Sequence, residues 1–261
     1  MQRIFHTPEG VRDIYSQECS RKQKLQEKLH RVFHQYGFED IETPTFEYFE
    51  VFSKEVGTIP SRELYKFFDR EGNTLVLRPD FTPSVSRACA TYFNPEKEVV
   101  SLCYTGNTFI NNSSFRGRLK ETTQMGVERM GDDSPEADAE ILAMTVECLL
   151  AAGLTEFQVS VGQVDYYKAI FAQTGMSQEE EEELRELISQ KNYFGVEELV
   201  KNKNMDKSLA RVLSQLPQMF GSTEVLEKAK SLTDNPQALK AVARLEEIYE
   251  LLKVYRSEEH T

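Results

Sequence analysis

The distribution of strand-like segments along this chain of 261 residues limits its fold most strongly. Segments with alternating apolar and polar side chains all lie before about residue 165, between helices and glycine-containing loops, without regular strand–helix–strand alternation. Only helix-forming, charged sequence follows. This order predicts an α+β fold, in which an antiparallel sheet flanked by helices carries a helical appendage. We expect a sheet-bearing domain over residues 1–165 and four or five short helices over residues 166–261.

Local signals place the elements of the first domain. Helices are predicted at Ser16–Tyr36, where Gly37 is a natural stop, at Pro83–Tyr92, and from the Ser134 cap to Ala152. Strands are predicted at 65–69 and 74–78, which form a hairpin, and at 99–104, 121–128 and 157–161.

The charge and cysteine content limit the partners and the compartment. The net charge of −12 disfavours broad nucleic-acid binding, because an acidic protein repels phosphate backbones. The four cysteines form no Cys-x-x-Cys pair, which indicates reduced thiols and not disulfides or zinc. No signal peptide follows Met1, and the apolar runs are too short to span a bilayer. We therefore expect a cytoplasmic protein without membrane association.

The predicted strand 121–128 has two chemically different faces. One face carries Thr122, Gln124, Gly126 and Glu128, and the other carries apolar side chains that suit packing against helices. A polar face with a glycine in its middle is what the floor of a site for a small polar ligand needs. A half-exposed sheet that faces solvent would show the same pattern.

Two other groups are candidates for binding chemistry. His30 and His34 lie one helical turn apart and could bind a metal ion, but we expect no third ligand nearby. We therefore predict a solvated face there and no metal site. Asp80 follows an Arg-Pro turn, where its carboxylate can pair with a ligand ammonium or with an arginine such as Arg78 or Arg87.

Several ordered motifs resemble those of histidyl-tRNA synthetases, which are class II aminoacyl-tRNA synthetases. Arg78–Thr82 (Arg-Pro-Asp-Phe-Thr) is similar to their Arg-Pro-Glu-Gly-Thr element, and Gln124-x-Gly126-x-Glu128 to their second signature strand. The segment around Pro44 resembles the first signature, and His6–Asp13 is typical of the group. The helical appendage resembles their insertion domain, so the resemblance covers nearly the whole chain.

The resemblance implies a role for each matched residue. Asp80 and Gln124 would hold the α-amino group of L-histidine, Glu128 would reach its imidazole, and Thr82 would shape the amino-group side. A carboxylate and an ammonium make charge-assisted hydrogen bonds. Pro44 would lie at the interface of a homodimer. No cofactor is implied.

Departures from the family pattern argue against catalysis. The synthetases bind the ATP α-phosphate with an arginine where this chain has Ile110, and Asn112 replaces a glutamate. Without that guanidinium, electrostatic stabilisation of adenylation is lost. We do not expect Arg116 or Arg118 to replace it from the neighbouring loop. The chain ends at Thr261, before a third signature, so we expect an incomplete sheet.

Within the family, the aspartate of Arg-Pro-Asp-x-Thr and the missing arginine resemble the regulatory subunit of ATP phosphoribosyltransferase. That branch implies a non-catalytic partner of the short-form catalytic subunit, which performs the first step of histidine biosynthesis under inhibition by histidine. It also implies a homodimer within a hetero-oligomer. Two alternatives remain open: a fragment of a histidyl-tRNA synthetase, and an activating scaffold with a vestigial pocket.

Overall fold

The computed structural model describes residues 5–53, 59–112, 117–203 and 205–258. By its internal contacts the chain forms two compact units. The first unit comprises Met1–Asp133 and Met144–Glu156, and the second comprises Ser134–Ala143 and Phe157–Thr261. The assignment of residues 1–165 to a synthetase-type domain and of residues 166–261 to an insertion-type region stays a prediction.

The strands and most of the helices of the first unit follow the predicted order. Its helices are α1 (Ser16–Gln35), α2 (Phe49–Ser53) and α3 (Thr82–Tyr92), and α4 (Pro135–Ala152) continues from the second unit into it. Its strands are β1 (Glu39–Asp40), β2 (Phe46–Tyr48), β3 (Lys66–Phe68), β4 (Thr74–Leu77), β5 (Val100–Phe109) and β6 (Glu121–Met130). A short 3-10 turn, Ser61–Glu63, precedes β3.

Two three-stranded sheets form from these strands. In one sheet, β5 pairs in parallel with β1 and antiparallel with β6. In the other, β4 lies between β2 and β3 and is antiparallel to both. The predicted hairpin is therefore confirmed as β3 and β4, and the predicted strand 121–128 as β6.

Glycine and buried aromatic side chains determine how the chain leaves α1. Gly37 has φ of +77°, a left-handed conformation that glycine adopts without steric cost. Its N–H donates to the carbonyl of His34, and the N–H of Phe38 donates to that of Phe33. Phe38 is buried, so the turn is anchored and delivers the chain directly into β1.

The core beneath the first sheet combines α3 with one face of β5. Phe81, Val85 and Cys89 lie buried against Leu102 and Tyr104. Burial of side chains of this size stabilises a fold by about 1.5–3 kcal/mol each. This packing fixes the start of α3 against the sheet, which positions the Asp80–Thr82 segment.

The second unit is helical, as predicted, but it contains more helices than expected. They are α5 (Val164–Phe171), α6 (Gln178–Ser189), α7 (Tyr193–Asn202), α8 (Lys207–Gln215), α9 (Glu224–Ser231) and α10 (Pro236–Glu258), with a 3-10 turn at Leu216–Gln218. Side-chain caps start several of them, including a capping box between Ser177 and Glu180. Ile170, Leu184 and Leu213 are fully buried in the core of this unit.

Helix α10 is not short, since it has 23 residues. It contacts α5 and α9. Among the residues that the structure describes, no helix combines the length and the apolar side chains that a membrane-spanning helix needs.

The predicted strand 157–161 is wrong. The chain has no regular structure there, and Phe157, Val159 and Val161 are all exposed. Alternation indicates a strand only where a neighbouring strand completes the backbone hydrogen bonds and a core covers the apolar side. Neither is present for this segment among the residues that the structure describes.

Candidate functional site

The register of β5 and β6 creates a polar face, which we call the front face. Leu102 pairs with Glu128, Tyr104 with Gly126, and Gly106 with Gln124. Paired residues of an antiparallel ladder project to the same side, so these side chains share that face. The structure therefore places Gln124 and Glu128 together, as the sequence predicts.

The turn between β4 and α3 lies close to the front face because hydrogen bonds from Arg78 hold it in that position. The buried Arg78 guanidinium donates to the carbonyl oxygens of Asn107 and Thr43, each at 2.8 Å. Its Cζ lies 4.1 Å from the centre of the Phe81 ring. A Cβ on Gly106 would lie 2.5 Å from Arg78 Nη2, so only glycine leaves room for this guanidinium.

All four residues predicted to bind histidine converge at this turn. Thr82 Oγ1 donates to Glu128 Oε1 at 2.6 Å, and Gln124 Nε2 lies 3.4 Å from Asp80 Oδ1. Asp80 Oδ1 also accepts from the N–H of Phe81 at 2.7 Å, just before α3 begins. Each of the four side chains is partly exposed, so ligand atoms can reach them.

Tyr104 belongs to this site, although the sequence did not identify it. A Cβ on Gly126 would lie 2.4 Å from the Tyr104 hydroxyl oxygen, so the tyrosine fills the gap that we predicted for a ligand. Its ring stacks on Phe81, with centroids 4.3 Å apart and planes 10° apart. Gln124 Nε2 lies 3.5 Å from its hydroxyl oxygen. A glycine opposite an aromatic residue was the available signal, but the pairing register was needed to see it.

The site holds negative charge that the described residues do not balance. Burial raises the pKa of Glu128, and the nearby Asp80 carboxylate adds to the effect, against the hydrogen bond from Thr82. Burial raises the pKa of Tyr104 as well, followed by the charges of Glu128 and Asp80. Within the described ranges, neither carboxylate is ion-paired with a lysine or an arginine.

The two arginines proposed as partners of Asp80 are occupied elsewhere. Arg78 donates to backbone carbonyls, and Arg87 pairs with Glu47, with Nη2 and Oε1 2.7 Å apart. The structural salt bridge that we considered for Asp80 is therefore wrong in this structure. A carboxylate without a cation nearby is suited to an ammonium or imidazolium ligand.

The positions that differ from the synthetase pattern lie at the end of β5. The N–H of Ile110 donates to the carbonyl of Lys120 at 2.9 Å, and Asn112 Nδ2 donates to the carbonyl of Leu119 at 3.3 Å. Arg118 is exposed. Arg116, the other arginine considered as a substitute, lies outside the described residues.

A second polar cluster lies on the opposite side of the same sheet, which we call the back face. His30 Nε2 and His34 Nε2 lie 2.6 and 3.0 Å from the two Asp40 oxygens, and Cys103 Sγ lies 3.5 Å from Oδ1. The expectation that no third metal ligand is near the histidines is therefore wrong, since Asp40 and Cys103 both are. The hydrogen bond to His30 is the main cause that lowers the pKa of Asp40. Burial is the main cause that raises the pKa of Cys103 to about 12.

Comparison with known sequences gives relatives over nearly the whole chain. A sequence model of the family described as histidyl-tRNA synthetase matches residues 10–261. The ATP phosphoribosyltransferase regulatory subunit of Acetivibrio thermocellus is 40% identical over 251 residues, which cover 96% of this chain and 60% of that protein. The protein of the same name from Thermoanaerobacter pseudethanolicus is 37% identical, with 98% of this chain and 67% of that protein covered. The chain thus spans about three fifths to two thirds of the length of these relatives.

Solved structures agree with the sequence relatives and confirm the predicted fold class. A crystal structure of an ATP phosphoribosyltransferase regulatory subunit/histidyl-tRNA synthetase from Bacillus halodurans C superposes with a TM-score of 0.86 at 31% identity, and covers 98% of this chain and 67% of that one. Histidyl-tRNA synthetase from Nostoc sp. PCC 7120 gives a TM-score of 0.75 at 19% identity, covers 96% of this chain and 58% of that one, and supports the fold alone. The chain therefore belongs to the histidyl-tRNA synthetase family, among relatives that carry the name ATP phosphoribosyltransferase regulatory subunit.

Proposed function

We propose that this protein is a non-catalytic regulatory subunit of ATP phosphoribosyltransferase, that it acts in the first step of histidine biosynthesis, and that it senses L-histidine. The names of the relatives support the regulatory role. One structural observation carries the sensing role: Asp80 and Glu128 face a half-buried polar site, and no lysine or arginine of the described ranges is ion-paired with either. Such a site favours a small cationic ligand.

Each side chain of the site has a distinct role in this proposal. Asp80 and the Gln124 carbonyl accept hydrogen bonds from the α-ammonium group, and Glu128 accepts one from the imidazole. Thr82 orients the Glu128 carboxylate, since it already donates to it at 2.6 Å. The Tyr104 hydroxyl forms the floor between them. An apolar side chain of similar size is rejected, because it would leave Glu128 without a partner in a partly desolvated place.

Histidine calorimetry tests these roles. The unmodified chain should bind L-histidine, and Glu128→Ala should weaken binding about 10- to 100-fold, because a hydrogen bond to a charged group contributes roughly 1.5–3 kcal/mol. The matched control is Glu121→Ala, on the same strand but on the back face, where the carboxylate bonds to Asn107. Equal affinity in the Glu128 and Glu121 variants would remove Glu128 from the site.

A non-catalytic subunit does not adenylate histidine, and an assay of pyrophosphate exchange tests this directly. Ile110 and Asn112 supply neither the charge nor the acid–base group that the synthetase pattern carries at these positions. We expect no histidine-dependent exchange of pyrophosphate into ATP. Robust exchange would favour the alternative of a catalytic synthetase-type protein.

Reconstitution with a short-form phosphoribosyltransferase separates sensing from scaffolding. Histidine shifts the equilibrium between active and inhibited complexes only if it binds one of them more tightly. Stimulation of the transferase that histidine then reverses supports the sensor. Stimulation that is insensitive to histidine, together with no calorimetric signal, favours a scaffold with a vestigial pocket.

The homodimer is also part of the proposal, with Pro44 at its interface. The register of the second sheet places Phe46, Tyr48 and Phe67 on one face, and these side chains are 36–54% exposed in the single chain. Phe46 and Phe67 contact each other edge to face, with centroids 5.6 Å apart. An aromatic surface next to an exposed proline fits an interface between two copies.

A further inference from the structure

We propose that His30, His34, Asp40 and Cys103 form a binding site for a divalent metal ion of the zinc type, on the back face of the β1–β5–β6 sheet. Their ligand atoms all lie within 4.8 Å of one another. Four ligands bound at about 2.0–2.3 Å around a tetrahedral ion are separated by roughly 3.3–3.8 Å. The cluster therefore reaches this arrangement through side-chain adjustments of about 1 Å.

Rigid elements supply the four ligands. His30 and His34 are one turn apart on the same face of α1. Asp40 and Cys103 are direct partners in the parallel pairing of β1 with β5, and the N–H of Ile41 donates to the Cys103 carbonyl at 2.9 Å. The turn at Gly37 brings β1 back beside the helix that it follows. An ion at this point would tie α1, β1 and β5 together.

The chemistry of the set favours zinc over a hard cation. Two imidazoles, one carboxylate and one thiolate are the donor types of tetrahedral zinc sites, whereas calcium and magnesium prefer oxygen alone. The two anionic ligands neutralise a divalent ion, so the site carries no net charge when it is filled. In the absence of metal, the N–H groups of the two histidines can donate to Asp40, and a metal ion would replace those protons.

The site is open to solvent on one side and closed on the other. The side chains of His30, His34 and Asp40 are 41–59% exposed, whereas Cys103 is fully buried. A cavity of about 420 Å³ adjoins His30 and Asp40 and is also lined by Glu27 and Glu42. These carboxylates make the approach electronegative, which favours entry of a cation.

This site is separate from the front face. Cys103 and Tyr104 are adjacent on β5 and project to opposite sides, so the metal ion and the histidine ligand would be bound on the two faces of one strand pair. The metal site does not depend on the proposed regulatory function, because none of its four ligands contributes to the pocket for histidine.

Cobalt(II) titration of the tag-free chain, after chelator treatment and in histidine-free buffer, tests the assignment. We expect one equivalent to bind, with the intense visible bands of a tetrahedral ion and a near-ultraviolet thiolate-to-cobalt charge-transfer band. Zinc should displace the cobalt and raise the melting temperature. Cys103→Ser should lose the charge-transfer band while some visible absorption remains.

Histidine variants keep the test decisive if Cys103→Ser does not fold, because the His30 and His34 side chains are partly exposed, whereas Cys103 is buried. His30→Gln/His34→Gln should fold, as circular dichroism can show, and should bind cobalt at least about 10-fold more weakly, since loss of even an outer-shell group costs 10–100-fold. His6→Gln and Cys19→Ser are the matched controls, since His6 is exposed and Cys19 is not buried, and both should behave as the unmodified chain. Equal cobalt binding by the double variant, or binding without a thiolate band, would overturn the proposal.

Discussion

Thr82, the first residue of α3, donates a hydrogen bond of 2.6 Å to Glu128 on β6, 46 positions further along the chain. This bond connects the Arg-Pro-Asp-x-Thr motif to the polar strand. It holds one oxygen of the carboxylate while the side chain stays partly exposed. The two motifs that the sequence identifies separately are therefore parts of one site.

Glu128→Gln should raise stability at neutral pH. Burial is the first cause that raises the pKa of Glu128 in the folded chain. Because the folded chain binds this proton more tightly than the unfolded chain does, the contribution of the group to stability is fully present at pH values below the ordinary glutamate pKa. That contribution is lost as the pH rises through the raised pKa of the folded chain. The neutral amide keeps an oxygen for the Thr82 hydroxyl and avoids that loss.

Thermal melts at pH 7 and near pH 4 measure this effect. The gain of Glu128→Gln over the unmodified chain should be present at pH 7 and should disappear near pH 4. Glu121→Gln, on the other face of β6, is the control and should not reproduce the pattern. A Gln variant that is less stable at pH 7 would contradict the assigned cause.

Gly126→Ala should destabilise the protein by about 1–3 kcal/mol, as overpacking of a well-packed site does. Its Cβ would lie 2.4 Å from the Tyr104 hydroxyl oxygen, and that ring is held by stacking on Phe81. Urea denaturation measures the change. Gly162→Ala has open space around the new Cβ and should stay within about 0.5 kcal/mol of the unmodified chain.

Arg78→Lys should cost about 1–3 kcal/mol, although the charge is kept. The guanidinium donates hydrogen bonds to the carbonyls of Thr43 and Asn107 at the same time and stacks on the Phe81 ring. The ammonium group of a lysine cannot make all three contacts. Urea denaturation measures the loss of stability, and Arg70→Lys is the control. Because Arg70 is exposed in the β3–β4 turn, this variant shows any general effect of replacing an arginine with a lysine. Equal stability of the two variants would show that the buried fork geometry contributes little.

Phe46→Glu/Phe67→Glu should convert the proposed homodimer into monomers. Two charges placed on the exposed aromatic face would have to be desolvated in an interface, at a cost of several kcal/mol. Light scattering coupled to size exclusion should show the unmodified chain at twice the mass of one chain, and the double variant at the mass of one.

Phe68→Glu provides the matched control for the dimer. Phe68 is exposed on the same strand but projects to the other face, so its replacement should leave the dimer intact. Dissociation by Phe68→Glu, or a dimer that survives the double variant, would place the interface elsewhere.

Local signals in the sequence were sufficient to predict many of the elements. Gly37 ends α1, the glycine-containing loop defines the β3–β4 hairpin, and Ser134 with Pro135 starts α4. These features depend on neighbours within a few residues, which the sequence shows directly. The resemblance to histidyl-tRNA synthetases, and not these local signals, implied that Asp80, Thr82, Gln124 and Glu128 belong to one site.

Tertiary structure decided everything that depends on residues far apart in the chain. Only the β5–β6 register places Tyr104 in the space above Gly126, and only the pairing of β1 with β5 brings Cys103 to the two histidines. The segment 157–161 has the alternation of a strand, yet it has no strand partner among the described residues. The spacing of apolar side chains along the sequence shows which face of an element is apolar. Whether that element becomes a strand depends on a distant partner, which completes its backbone hydrogen bonds and covers the apolar face.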